Sequence, residues 1–125
     1  MNLGVSKDCE ITMEVDPGTF DLEYLRRIKM CGVNRLSMGV QSFDLSALKS
    51  SGRAHSPEDI AASVNIIRES NIENFSMDLI SSLPGMTMKL WKETLFTASN
   101  VGSTHISVYD LQVEDKTAFG RWYSP

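Results

Sequence analysis

The sequence has few cysteines, no long hydrophobic run and no long block of like charges, and each shortage argues against a class of protein. Two cysteines in 125 residues are too few for the disulfide framework of a small secreted domain. No apolar run reaches the roughly 18 residues that a membrane-spanning helix requires. With a formal net charge of −4, the chain has no electrostatic feature that predicts binding to nucleic acid or to an anionic membrane.

The thiols and the first residues indicate the compartment. Cys9 and Cys31 are 22 positions apart and form no C-x-x-C motif, so we expect two buried or idle thiols in preference to a disulfide. The opening segment MNLGVSKDCE lacks the charged-then-apolar order of a secretory signal. We therefore expect a soluble protein of a reducing compartment, either the cytoplasm or an organelle matrix.

Four short apolar runs each carry a polar side chain at or near the end, and this pattern predicts a site. The side chains are Glu14, Gln41, Asp78 and Gln112, separated by 27, 37 and 34 positions. Each gap is long enough for a crossover helix, which predicts an α/β chain with a parallel sheet. Right-handed crossovers bring all the strand ends to one edge, where α/β sheets and barrels bind ligands. We expect the four side chains to converge there.

Apolar alternation and turn residues predict where the elements lie. Four strands are expected, over residues 11–15, around 36–40, and over 75–80 and 106–111. The second gap holds two predicted helices, a short one over 43–51 that Gly52 ends and a longer one that Ser56 caps. The short helix would lie in the loop at the carboxyl edge of the sheet. It would place Arg53 beside the predicted site.

The two acidic candidates each have a structural alternative. Asp78 lies inside an apolar strand, where an ionised carboxylate is costly unless it is paired or hydrogen-bonded. We favour a functional carboxylate; the alternative is a structural one that caps the turn at Ser81 and Ser82. Glu14 has a weaker case, because strand alternation allows it to be a solvated residue on a half-exposed strand.

Gln41, Arg53 and two histidines are the remaining candidates. Gln41 follows Gly39, and a glycine in a strand often lets a ligand or another backbone approach closely. The Gln41 amide both donates and accepts, which suits a diol such as ribose. Arg53 can bind a carboxylate bidentately, although an arginine after a helix-ending glycine is more often a surface residue. His55 and His105 have no partner at metal-ligand spacing, so we interpret them as a loop histidine and a strand-start histidine.

Five segments together resemble one family. They are E-V-D-P-G-T (14–19), G-V-N-R-L-S-M-G-V-Q-S-F (32–43), G-R-A-H (52–55), S-M-D-L-I-S-S-L-P-G (76–85) and S-V-Y-D-L-Q-V-E (107–114). The family is the radical S-adenosylmethionine (radical SAM) proteins of the oxygen-independent coproporphyrinogen III oxidase type, and the HemW branch is the most similar. The resemblance extends from Cys9 to Gly120.

The resemblance implies a partial TIM-type (β/α) barrel. Residues 1–125 would form about four consecutive β/α units of a radical SAM core. In the family, earlier units carry a C-x-x-x-C-x-x-C loop that ligates a [4Fe–4S] cluster, and this sequence contains no such loop. The chain would be a partial core domain without cluster ligands or a C-terminal domain. We therefore expect no catalysis from it alone.

The resemblance also implies a cofactor site. It assigns binding of S-adenosylmethionine (SAM) to Glu14, Gln41, Arg53, Asp78 and Gln112. By their chemistry, Arg53 suits the methionine carboxylate and Glu14 the ammonium, while Gln41 and Asp78 suit the ribose hydroxyls. No residue of the chain is assigned as a catalytic residue or a metal ligand.

Three functions are compatible with the sequence. The leading interpretation is a truncated HemW-like protein, a heme chaperone when complete, with heme or porphyrin as a further ligand. The alternatives are a fragment of an oxygen-independent coproporphyrinogen III oxidase and a small stand-alone α/β binding module. In either fragment interpretation the outer strands would be unpaired edges, so we expect the isolated chain to be marginally stable or to self-associate.

Overall fold

Parallel strands alternate with helices along residues 4–123, which are the residues that the structure, a computed structural model, describes. In chain order the elements are β1 (Thr12–Val15), α1 (Leu22–Met30), β2 (Arg35–Gln41), α2 (Leu45–Ser50), α3 (Pro57–Ser70), β3 (Asn74–Ile80), α4 (Met88–Val101), β4 (His105–Tyr109) and α5 (Ala118–Trp122). The strands pair in the order β1-β2-β3-β4, and every pair is parallel. The predicted α/β class is therefore confirmed.

Alternation along the strands gives the sheet one apolar and one polar face. In β2 the side chains of Leu36, Met38 and Val40 are fully buried, whereas the intervening residues are half-buried. The buried side chains share a core with residues of α1 and α3, such as Leu25 and Ile60. Right-handed crossovers between sequential parallel strands place their helices on one side of a sheet. The opposite, polar face of the sheet is therefore the one on which a binding site can form.

The turn after β1 is fixed to helix α3. Both the backbone N–H and the hydroxyl of Thr19 donate to the Asp16 carbonyl, at 3.2 and 2.7 Å. Gly18 has a φ of 76°, which favours glycine, and its N–H donates to Ser63 Oγ of α3 at 2.9 Å. The end of β1 is therefore anchored to a helix that lies 45 positions further along the chain.

Helix α3 begins with the start signal that the sequence predicts. The Ser56 hydroxyl accepts from the Asp59 N–H at 3.2 Å, and the Ser56 N–H donates to the Asp59 carboxylate at 2.8 Å, which forms a capping box. Pro57 occupies the first helical position, where its missing N–H is no loss. These hydrogen bonds define the point at which the loop carrying Arg53 ends.

The C-terminal part differs from the prediction. Strand β4 ends at Tyr109 instead of residue 111, because the chain beyond it bonds to the loop after β3: the Leu111 N–H donates to Ser82 Oγ at 2.7 Å. Helix α5 was not expected; on it, Phe119 packs against Trp122 and Tyr123 with ring centroids 6.1 and 5.4 Å apart. Phe119 therefore contacts both other aromatic residues, while Trp122 and Tyr123 remain exposed.

Three other expectations concern the surface. Cys9 and Cys31 are free thiols, as expected, but Cys9 is half-buried and Cys31 exposed, so neither is a core residue. In the part of the chain that the structure describes, no helix is both long and apolar enough to cross a membrane. Strands β1 and β4 form the edges of the four-stranded sheet, and self-association through such an edge stays a prediction.

We predict that Asp59→Asn removes part of the pH dependence of folding. Hydrogen bonds from the Ser56 backbone N–H and then from its hydroxyl lower the pKa of Asp59 from its ordinary value of 3.8. The resulting stabilisation is complete above the unfolded-state pKa and is lost as the pH falls through the lower folded-state pKa. Urea unfolding at neutral and acidic pH should therefore show a smaller loss of unfolding free energy on acidification in the variant than in the wild type.

The control for this experiment is Glu58→Gln. It removes one carboxylate from the same first turn of α3 without removing the capping box. Its pH dependence should stay close to that of the wild type. Equal pH dependence in Asp59→Asn and the wild type would contradict the role given to the capping carboxylate.

Candidate functional site

An open cleft of about 620 Å³ lies at the carboxyl ends of β1, β2 and β3. Four of the five residues predicted from the sequence line it: Glu14 from β1, Gln41 from β2, Asp78 from β3 and Arg53 from the loop after α2. Sequence-distant polar side chains are therefore brought together, as the pattern of strand ends predicts.

Asp78 is held by a line of hydrogen bonds across the polar face of the sheet. Its carboxylate accepts from Ser37 Oγ at 2.9 Å. Ser76 Oγ, which is fully buried, donates to Ser37 Oγ at 3.2 Å and accepts from the Arg35 guanidinium at 3.0 Å. Each hydroxyl therefore accepts on one side and donates on the other, which is the cooperative arrangement of a polar network. The structural alternative, a cap on the turn after β3, is not what Asp78 does.

Gln41 has an unusual backbone conformation. Its φ is 68°, in the left-handed region that L-residues other than Asn and Asp rarely adopt. The Ser42 N–H donates to the Val40 carbonyl across it at 2.8 Å, the hydrogen bond of a γ-turn, and the form with positive φ is rare and strained. The pairing of β2 with β3 also shifts between Met38 and Gln41. The strand is thus bent where its amide side chain reaches the cleft.

Gly39 allows two polar side chains to approach each other over the strand. A Cβ placed on Gly39 would lie 2.8 Å from the Asp16 carboxylate oxygen Oδ1 and 3.3 Å from Gln41 Nε2. The first distance is shorter than real Cβ contacts, so a side chain at this position would displace Asp16. Two side chains that line the cleft therefore take the space beside Gly39, and the close approach of a ligand stays a prediction.

The end of helix α2 sets the position of Arg53. The Gly52 N–H donates to the Lys49 carbonyl at 3.1 Å and the Arg53 N–H to the Leu48 carbonyl at 2.9 Å. With Gly52 at a φ of 73°, this is a Schellman motif, in which the glycine reverses the chain and the next residue closes the helix end. The backbone of Arg53 is therefore fixed, while its guanidinium is exposed at the cleft.

The cleft carries more negative than positive charge. Three carboxylates, from Glu14, Asp16 and Asp78, line it together with the one guanidinium of Arg53. Within residues 4–123, the side chains of Glu14, Gln41 and Arg53 make no hydrogen bond or ion pair. These groups are available to a ligand, and the charge balance favours a ligand with cationic groups.

Gln112 lies outside this cleft. It is three residues beyond the end of β4 and lines a neighbouring cleft of about 350 Å³, which also includes Arg53, Leu83 and Phe119. The expected convergence therefore holds for Glu14, Gln41 and Asp78 but not for the fourth side chain. The cause is the early end of β4 described above.

Several lining residues were missed by the sequence interpretation. Ser37 shares a strand face with Gly39 and Gln41, and their spacing of two positions was the available signal. Asp16 directly follows β1 and was not among the candidate site residues. Tyr24 of α1 also lines the cleft, and no sequence pattern separates it from the other apolar positions of that helix.

The two histidines have different surroundings. His55 lies in a loop, as expected, and is buried, with its ring in contact with the Val40 carbonyl. His105 is the first residue of β4, as expected, and is exposed. Among the residues from 4 to 123, no group of three or more His, Cys, Asp or Glu side chains is placed to hold a metal ion.

Comparison with known proteins gives the family. The model of the radical SAM superfamily matches residues 3–98. The chain belongs to the radical SAM superfamily. The solved structure of coproporphyrinogen III oxidase (HemN) from Escherichia coli, a radical SAM enzyme, superposes on 93% of this chain with a TM-score of 0.83 and 32% sequence identity. The partial TIM-type barrel of a radical SAM core, expected from the resemblance, is confirmed.

Heme chaperones of the HemW type are similar in sequence to this radical SAM chain. The heme chaperone HemW of Synechocystis sp. is 45% identical over 96% of the chain, and that of Bacillus subtilis is 42% identical over 88% of it. The chain spans 29% of the length of each of these relatives and 27% of the HemN structure. The HemW-like sequence of this chain therefore corresponds to less than a third of such a protein.

We predict that Gln41→Gly stabilises the chain. A left-handed conformation costs a residue with a Cβ about 1–2 kcal/mol, and glycine removes this cost. Part of the gain is offset because glycine also increases the conformational entropy of the unfolded chain. The free energy of unfolding, measured by urea denaturation, should rise by roughly 0.5–1 kcal/mol. The matched control is Asn71→Gly, at the other non-glycine residue with positive φ in residues 4–123, where asparagine tolerates the conformation and the gain should be smaller. A destabilised Gln41→Gly variant would show that the backbone at Gln41 is not strained.

Proposed function

We propose that the cleft binds SAM and that the chain is the SAM-binding part of a HemW-like protein, a heme chaperone when complete. The observation that carries the proposal is the convergence of Glu14, Gln41, Arg53 and Asp78 on one cleft. These are four of the five residues that the family resemblance assigns to the cofactor. The domain we propose is correspondingly a partial radical SAM core over residues 1–125.

The chemistry of the cleft fits the groups of SAM. SAM carries an ammonium and a sulfonium, which suit the excess of carboxylates, and we assign the ammonium to Glu14. Its methionine carboxylate suits the planar, bidentate guanidinium of Arg53. Its ribose hydroxyls suit Gln41, which donates and accepts, and Asp78, which accepts. When bound to a reduced cluster, SAM supplies a 5′-deoxyadenosyl radical.

The line of hydrogen bonds behind Asp78 supports its proposed role. Ser37 donates to Oδ2, which holds that oxygen in place and leaves Oδ1 without a protein donor among residues 4–123. A pre-oriented acceptor loses less side-chain entropy when a hydroxyl binds. Asp78 would therefore hold a ribose hydroxyl through Oδ1 while Ser37 keeps the carboxylate in place.

The residues of the chain do not fit an iron–sulfur cluster. Such clusters are held by several cysteine thiolates, and the chain has only Cys9 and Cys31. The catalytic chemistry of the family is therefore not assigned to this chain alone.

Gln112 is proposed to contact the cofactor from the neighbouring cleft, which shares Arg53 with the main one.

The choice between heme chaperone and oxidase is carried by sequence similarity. Identity to heme chaperones is 45% for that of Synechocystis sp. and 35% for that of Escherichia coli, against 32% for the oxidase structure. The higher values favour the chaperone and make heme or porphyrin the proposed further ligand. Membership of the superfamily favours both over a stand-alone binding module. Decarboxylation of coproporphyrinogen III by a complete protein containing this chain would select the oxidase instead.

We predict that Arg53→Lys and Asp78→Asn each weaken SAM binding. Removing a hydrogen bond to a charged group costs about 1.5–3 kcal/mol, which is roughly tenfold or more in affinity. Lysine keeps the charge of Arg53 but loses the planar fork, so this variant separates bidentate recognition from simple attraction. Titration of the isotope-labelled chain with SAM, followed by the amide signals of the cleft residues, measures the dissociation constants.

Matched controls for this titration lie outside the cleft. Arg27→Lys and Asp115→Asn make the same chemical changes at exposed positions and should leave the affinity unchanged. In a longer protein with a cluster-binding segment, the Arg53 and Asp78 variants should keep the cluster absorption. Wild-type affinity in both cleft variants would identify these residues as structural, and a wild-type chain whose cleft signals ignore SAM would refute the proposed site.

We predict that the chain binds no stoichiometric [4Fe–4S] cluster, because two thiols cannot replace a three-cysteine loop. Anaerobic reconstitution with iron and sulfide, followed by desalting and iron analysis, is the measurement. A variant with both Cys9 and Cys31 changed to Ser reports adventitious iron, and the wild type should match it. A stable four-iron chromophore in the wild type alone would disprove the prediction.

A further inference from the structure

A side chain provides a second hydrogen bond to the strained turn at Gln41. The Val40 carbonyl accepts from the Ser42 N–H at 2.8 Å and also contacts His55 Nε2 at 3.0 Å. A carbonyl oxygen only accepts, so Nε2 carries the proton and donates. The ring is 8% exposed, and a buried hydrogen bond of this kind is little weakened by competing water.

His55 also belongs to the segment that carries Arg53. Two residues before it, the Arg53 N–H closes the end of α2 on Leu48, and the residue after it is Ser56, the N-cap of α3. The segment is therefore held at both ends by helix termini and in its middle by the histidine. One imidazole thus joins the loop bearing Arg53 to the turn bearing Gln41.

Strained conformations persist only where the surroundings over-determine them, and they occur often at binding sites. Here the conformation at Gln41 is fixed by its own γ-turn and by the donor from His55. Without that donor, the turn keeps its strain but loses one of the two hydrogen bonds that hold it. The chain around Gln41 would then relax toward ordinary extended backbone, which turns the side chain away from the cleft.

We infer that His55 is a positioning residue: its Nε2–H holds the Gln41 turn and the Arg53 segment in one arrangement, so that both side chains face the same ligand. The inference rests on the proposed SAM site for its functional meaning. The geometric part, the dependence of the Gln41 conformation on His55, is independent of any ligand.

Two substitutions at His55 separate the hydrogen bond from the packing. His55→Phe keeps a ring of similar shape but removes the donor, whereas His55→Gln places an amide N–H near the position of Nε2. Scalar couplings of the labelled chain report φ at Gln41, and a SAM titration reports affinity. His55→Phe should shift φ toward negative values and weaken binding roughly tenfold, and His55→Gln should retain both wild-type properties. His105→Phe, at the exposed histidine, is the matched control and should change neither.

Each outcome decides a separate point. A folded His55→Phe variant with wild-type φ at Gln41 and wild-type affinity overturns the inference. If His55→Phe does not fold, the nitrogen chemical shifts of the wild-type imidazole decide, because a proton on Nδ1 in place of Nε2 also overturns the inference. A folded His55→Gln variant that has lost the wild-type φ at Gln41 overturns it too. If the wild type binds no SAM, the proposed site fails, while the φ comparison still decides the role of His55.

Discussion

The parallel pairing of β1, β2 and β3 is the interaction on which the cleft depends. The register aligns Glu14 with Ser37 and Ser37 with Ser76, so polar side chains from three strands form a row across one face. Asp78 lies one pleat further along β3, close enough to accept from Ser37. A shift of one residue in either pairing would turn these side chains to the apolar face. The hydrogen-bonded line and the cleft are thus consequences of backbone register.

The irregularity in β2 complements this regular pairing. Leu79 pairs with Gln41, whereas the register at Met38 would align it with Val40, so β2 contains one extra residue, as in a β-bulge. Bulges re-aim side chains and end pairing near functional sites. Here the Val40 carbonyl, next to the irregularity, accepts from the Ser42 N–H and from His55.

The sequence predicted the features of the site that depend on periodicity and connectivity. Gln41 and Asp78 were expected at strand ends, and the strand and crossover pattern was enough to bring those ends together. The positive φ of Gln41 could not be predicted, because hydrophobic periodicity contains no information on a single dihedral angle. The Ser37 contact depends on the pairing of strands 41 positions apart. Gln112 was misplaced because serines of another loop, at 81 and 82, take over the bonding where β4 was expected to continue.

The hydrogen bond from Gly18 to Ser63 gives helix α3 a mechanical role. The helix holds the turn after β1 through Ser63, and its N-terminal cap begins directly after the segment that carries Arg53. Helix α3 therefore supports two sides of the cleft, the turn after β1 and the segment that carries Arg53. A shift of the helix along one direction would displace both sides together, so the spacing between Glu14 and Arg53 would change less than the position of either one.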